Sequence, residues 1–253
     1  MRGTIDMPGR DARATGKDPS VSKRLAALAW PRIEDELASR GFATTGRLVT
    51  PAERSMLGGR YDDDALYRNR VVMERHGFGR GEYRYYAYPL PAIVEELRQA
   101  AYPHLVPTAN RWTEQLRLPS RFPATLDLML ERCRASGQTR PTPLLLKYGP
   151  GDYNALHQDL YGENVFPIQL AILLSEPQRD FTGGEFVLVE QRPRKQSRVH
   201  VVALSAGDGV IFSVNSRPVS GTRGYYRTTM RHGVSELGSG KRFTLGVIFH
   251  DAH

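Results

Sequence analysis

The sequence predicts an α+β fold: a double-stranded β-helix (jelly-roll, cupin-like) core behind a helical N-terminal half. Two observations carry this. Before Gly137, apolar residues recur mostly at helical spacing; after it come eight short β-branched or aromatic runs, most of them separated by Gly, Pro, Asn or Ser. Eight short strands so spaced suit a jelly roll.

The elements follow in order. Residues 1–20 are rich in Gly, Asp, Arg, Lys and Ser without apolar periodicity, and are expected to form a disordered tail. From Val21 to Ser39, Leu25, Leu28, Ala29, Ile33 and Leu37 recur as on one helix face, and Arg40-Gly41 supplies a stop. The aromatic run Glu82–Tyr88 suits a strand. Ile93–Tyr102, Thr108–Leu118 and Pro123–Ala135 read as three further helices. The β runs are Pro143–Tyr148, Ala155–Asp159, Ile168–Leu174, Glu185–Glu190, Val199–Leu204, Gly209–Val214, Tyr226–Arg231 and Arg242–Phe249. The expected organisation is one domain over residues 21–253, with 21–136 mainly helical support and 137–253 the jelly-roll core.

Composition narrows the classes. No apolar run approaches the ~18–20 residues of a membrane helix. Met1-Arg2-Gly3-Thr4 lacks the apolar stretch of a secretory signal. The single cysteine, Cys133, precludes an internal disulfide and reads as a small buried residue. The expected location is the cytoplasm. The net charge of +8 favours polyanionic partners. Between Gln191 and Arg231 the chain carries Arg192, Arg194, Lys195, Arg198, Arg217, Arg223, Arg227 and Arg231 against Asp208 alone. Arg192, Arg194, Arg198, Arg223 and Arg227 are the candidate nucleic-acid contacts, with Tyr225 and Tyr226 as possible stacking surfaces.

His157-Gln158-Asp159 is the pattern with the most chemistry. Alternate residues of a strand share a face, so His157 and Asp159 can reach one ion while Gln158 points away. A third ligand must come from elsewhere, and His232, ahead of Gly233, is the best candidate. Two imidazoles and one carboxylate are the protein ligand set of non-haem Fe(II) oxygenases. His200 sits at a position expected to be exposed, and His76 and His104 have no carboxylate two residues on. His250 is a minor alternative, set in what reads as a frayed terminus. Arg242, ten residues after His232, could clamp a carboxylate bidentately, with the Tyr148 hydroxyl as a second donor.

These residues carry a resemblance. The chain resembles the Fe(II)/2-oxoglutarate-dependent dioxygenases. Tyr148-Gly149-Pro150-Gly151 followed by Leu156-His157-Gln158-Asp159 is similar to the AlkB-type DNA-repair oxygenases. Across most of its length the chain resembles a bacterial group of nucleic-acid oxygenases acting on damaged DNA. Gly137–Leu146, Thr182-Gly183-Gly184-Glu185-Phe186, Gln191–Arg194 and Ile248–Ala252 carry that likeness. Leu146 stands where AlkB has an asparagine, and Ile248 where it has a second arginine. The resemblance implies Fe(II) on His157, Asp159 and His232, 2-oxoglutarate on Arg242 and Tyr148, and O2 as co-substrate. It also implies oxidative demethylation of alkylated DNA or RNA, with the base drawn out of its stack. Two alternatives stand beside it: a 2-oxoglutarate-dependent hydroxylase of a protein or small molecule, and a non-catalytic basic DNA-binding protein.

Overall fold

The computed structural model describes residues 18–119 and 121–253. The expected tail over residues 1–20 falls, except for its last three residues, outside them. The chain runs α1 (Val21–Ala26), α2 (Trp30–Arg40), β1 (Phe42–Arg47), α3 (Pro51–Gly59), β2 (Tyr67–Val72), β3 (Gly79–Arg80), β4 (Glu82–Tyr86), α4 (Ala92–Gln115) and α5 (Leu126–Ala135). There follow β5 (Leu144–Tyr148), β6 (Tyr153–His157), β7 (Ile168–Leu173), β8 (Phe181–Gly183), β9 (Phe186–Gln191) and β10 (Arg198–Val202). Last come β11 (Asp208–Ser213), β12 (Ser216–Gly221), β13 (Gly224–Val234), β14 (Leu237–Gly240) and β15 (Arg242–Val247).

Two antiparallel sheets form the jelly roll. The larger has the order β1-β11-β7-β15-β5-β4-β2; the smaller has β10-β9-β13-β6-β3, with β12 added along β13. β8 and β14 form a separate pair. β7 shows how the layers stack, because all six of its residues are buried. Ile168, Leu170 and Ile172 face the helices, while Ala171 and Leu173 face the space between the sheets. Phe186, Leu188, Phe212 and Met230 fill that inner space, which also holds the polar site.

Three expectations change. The helix expected over Val21–Ser39 is two, α1 and α2, with Pro31 in the first turn of α2, where a missing N–H costs nothing. The helices expected over Ile93–Tyr102 and Thr108–Leu118 are one, α4, which runs through Pro103 and Pro107. Each proline removes a helical hydrogen bond, and the buried stripe Leu97, Ala101, Leu105, Val106, Ala109 and Trp112 holds the helix despite that. The N-terminal half is less helical than its pattern suggested: β1, β2 and β4 extend the larger sheet.

α4 ends in a hydrogen-bond pattern that glycine usually completes. The N–H of Leu118 donates to Thr113 (2.8 Å) and that of Arg117 to Glu114 (3.0 Å). The left-handed residue is Arg117, at φ 55°. A side chain there costs roughly 1–2 kcal/mol relative to glycine. At the other terminus the chain is anchored, not frayed. Buried Arg98 on α4 donates to Asp251 (2.7 Å) and to the Ile248 carbonyl (2.8 Å), and His250 and Asp251 are buried. Cys133 is buried as expected.

Candidate active site

The smaller sheet brings two histidines side by side. His157 closes β6, and its cross-strand partner in β13 is His232. Their rings lie 4.2 Å apart between centroids. Gly233 makes the approach possible: a Cβ there would stand 2.6 Å from the Asn154 carbonyl oxygen. β6 ends at His157, so Asp159 sits just beyond the strand and not within it. It still turns back to the pair, with Oδ1 3.5 Å from His157 Nε2 and Oδ2 3.3 Å from His232 Nε2. Gln158 points elsewhere, donating to the Met230 carbonyl (2.8 Å) and Asn215 Oδ1 (2.9 Å).

This donor set fits a metal ion. The three ligand atoms lie within 4.8 Å of one another. His157 Nδ1 is 2.8 Å from the Ala155 carbonyl, so a proton there leaves Nε2 free to coordinate an ion. Burial pushes the Asp159 carboxyl up, yet hydrogen bonds and charge from His157 and His232 outweigh it and hold the group well below the carboxylate range. For His157, burial is outweighed by its hydrogen bond to Asp159, and the pKa rises. His232, more deeply enclosed and next to His157, is pushed down by burial.

A residue without a sequence signal steadies the carboxylate. Tyr161 donates to Asp159 Oδ1 (2.7 Å), and Tyr85 of β4 donates in turn to the Tyr161 hydroxyl (3.0 Å). Burial and the nearby Asp159 charge raise the Tyr161 pKa well above its ordinary value, so it stays a donor.

The larger sheet supplies the other half of the cavity. Arg242 opens β15 directly opposite Tyr148 at the end of β5. Both are buried, and both line the same cavity as the triad. Arg242 Nη1 donates to Thr244 Oγ1 (2.6 Å), Nε has no partner, and no carboxylate lies within 4.0 Å among the described residues. Burial lowers its pKa, and the nearby Tyr148 and Glu185 offset this only in part. Burial pushes the Tyr148 phenol up to about 12, so it remains a donor. Gly184, at φ 64°, leaves room for this arginine: a Cβ there would meet Arg242 Cδ at 3.1 Å and Leu237 Cδ1 at 2.5 Å. A buried guanidinium without a counter-ion calls for an anion. Leu146 lines the same cavity, while Ile248 is buried in a small apolar cluster with Val71, Tyr85 and Leu144.

Residues 81–252, about two thirds of the chain, match the family Oxygenase-NA, described as an oxygenase catalysing oxidative methylation of damaged DNA. The chain belongs to this family. This Oxygenase-NA member is 47% identical over 196 residues to two uncharacterized proteins of Mycobacterium tuberculosis, covering 78% of this chain and 79% of each relative. Its fold resembles that of a 2OG-Fe(II) oxygenase-family oxidoreductase from Burkholderia pseudomallei (TM-score 0.55, 14% identity, 89% and 94% of the two chains). It also resembles that of a Pseudomonas putida prolyl-4-hydroxylase (TM-score 0.52, 16% identity, 86% and 96%). The enzyme is thus an oxygenase with the double-stranded β-helix of the 2-oxoglutarate–Fe(II) oxygenases, and its His–Asp–His triad could bind iron.

The basic residues of the Oxygenase-NA chain separate into two kinds. Arg217 is not a surface group: it is fully buried and pairs with buried Glu190 at 2.8 Å. Arg192 shares that carboxylate at 3.1 Å. Arg194 and Arg198 are exposed around the β9–β10 connection, and Arg223 and Arg227 are exposed on the β12–β13 hairpin. Tyr225 is exposed and Tyr226 half-buried. None of these arginines lines the cavity. His200, expected to be exposed, is half-buried with its ring edge-on to Phe42. His250 accepts from the Phe166 N–H through Nδ1 (3.2 Å) and is not part of the triad.

Proposed function

We propose that this protein is an Fe(II)/2-oxoglutarate-dependent oxygenase that oxidatively demethylates alkylated nucleic-acid bases, and that residues 21–253 act as one unit. The observation that carries the reading is the uncompensated buried Arg242 in the same cavity as the His157–Asp159–His232 triad. His157, Asp159 and His232 would hold Fe(II). Arg242 would take the far carboxylate of 2-oxoglutarate through its guanidinium fork, with the Tyr148 hydroxyl as a further donor. When bound, these groups use O2 to oxidise a C–H bond and release succinate and CO2.

The chain's own residues do the positioning. Tyr161 orients Asp159, and the Ala155 carbonyl orients His157. Tyr83, Leu144, Leu146, Phe186 and Phe212 line the cavity and keep water from the reacting carbon. An oxidant of this class acts on a methyl group already present, so hydroxylation of an N-methyl group releases formaldehyde and restores the base. The damaged-DNA wording of the family description supports a nucleic-acid substrate. A base inside a duplex cannot reach a site between two sheets, so it must be unstacked or already single-stranded.

Succinate release with Fe(II), 2-oxoglutarate and a panel of methylated oligonucleotides, peptides and metabolites tests this. Stimulation by methylated oligonucleotides is expected. Stimulation by a peptide or metabolite instead would move the protein to the hydroxylases. Salt-sensitive DNA binding without any succinate would leave a binding protein.

A further inference from the structure

Arg111 and Arg117 at the end of α4, and Arg223, Tyr225 and Arg227 on the β12–β13 hairpin, line one open groove although the two segments are far apart in sequence. Arg111 pairs with Glu34 at 2.9 Å. Arg117, Arg223 and Arg227 take no carboxylate within 4.0 Å among the described residues, and Glu114 is the one acid lining the groove. The end of α4 contributes about half a negative charge. Helix end and Glu114 together leave the three unpaired guanidiniums in excess.

The local backbone presents these groups deliberately. Gly221 and Gly224 are paired across the hairpin, so Thr222-Arg223 forms a two-residue turn that fixes Arg223 at the tip. Tyr225 and Arg227 are two apart on β13, share a face, and are exposed. On the opposite wall Arg117 occupies the left-handed position that glycine would take without strain. Strain retained at a surface residue points to a use for the side chain. A cation within the last helical turn would serve the helix dipole equally well, so the dipole does not account for this placement.

We propose that the groove docks a single-stranded DNA segment flanking the base that enters the cavity; this rests on the nucleic-acid reading above. Guanidiniums bind the phosphodiester backbone without reading sequence, and an exposed tyrosine between them offers a stacking face to an unpaired base. The groove is remote from the triad. Arg223 precedes His232 by nine residues, ~30 Å along the strand. Arg227, the groove residue nearest to His232 on that strand, precedes it by five residues, ~17 Å, so only a DNA strand that continues well past the methylated base engages both sites.

The test measures fluorescence anisotropy of labelled single-stranded 20-mers and 5-mers, each with one methylated base at its centre, across ionic strength. The variant carries Arg117→Gly, Arg223→Ala and Arg227→Ala, and its first change also relieves the left-handed strain. At ~0.7 per phosphate contact, the slope of log affinity against log salt should fall by about 2 for the 20-mer. It should not change for the 5-mer, and the melting temperature should not drop. Tyr225→Ala should weaken 20-mer binding about tenfold with the slope kept. An unchanged 20-mer slope, an equal loss for the 5-mer, or the same arginine-dependent loss on phosphatidylserine vesicles overturns the proposal. Slope loss in a protein that makes no succinate on any oligonucleotide sustains the groove and removes the oxygenase reading on DNA. Succinate formation with an unchanged slope does the reverse.

Discussion

His157 and His232 are cross-strand partners, so the sheet register itself holds the two imidazoles 4.2 Å apart. Asp159 is the member outside the sheet, carried by the segment just past the end of β6. Replacing either histidine or Asp159 by Ala should abolish metal binding and succinate formation together. Titration with Co(II), read by its visible absorption, checks the first independently of the second. Unaltered Co(II) binding by the doubly substituted His157→Ala, Asp159→Ala protein would end the metal assignment.

Arg242→Met should separate stability from function. A buried charge without a partner is costly, and an apolar side chain of similar volume is commonly neutral or stabilising by about 1–4 kcal/mol. The metal-free variant should therefore melt at or above the wild-type temperature. Its 2-oxoglutarate requirement should rise by at least tenfold while Co(II) binding is kept. A variant with normal 2-oxoglutarate saturation would remove Arg242 from the co-substrate site.

Tyr161→Phe deletes one hydroxyl that touches Asp159 Oδ1 and Tyr85. Loss of such a supporting hydrogen bond typically lowers metal affinity about 10–100-fold. Calorimetric titration should show that loss with the unfolding midpoint little changed. Equal affinity would mean that the His157 and His232 contacts alone orient the carboxylate.

His250 sets a pH dependence away from the triad. Burial, then the Arg98 charge, lowers its pKa from near 6.5 to about 3. Between those values the unfolded chain binds a proton that the folded chain does not, so stability falls as pH drops from about 6.5 toward 3. The slope approaches ~1.4 kcal/mol per pH unit for one group. His250→Gln can still accept from the Phe166 N–H and should flatten this limb in urea titrations at a series of pH values. The same slope in the variant would assign it to other groups.

Much of the site was legible because strand geometry constrains few residues tightly. Alternation pointed to His157 and Asp159 as partners, although β6 stops at His157 and Asp159 reaches the centre from the segment beyond it; Gly233 helped to single out His232. Tyr161 gave no signal, since its partner is two residues away across a loop and its second contact, Tyr85, lies far off in sequence. The fold was clearest where one face is apolar. β12, containing Arg217-Pro218, was hidden because neither an arginine nor a proline reads as a strand; buried Glu190 and the hairpin pairing override that preference. The groove was half visible: Arg223 and Arg227 stood out by charge, whereas Arg117 needed the backbone.

The triad rides on the smaller sheet and Arg242 on the larger, with only side chains between them. A small molecule held at both ends is therefore a brace across the sandwich. Loading should slow amide exchange in β13 and β15 together, layers that share no backbone hydrogen bond, and metal alone should protect only the first.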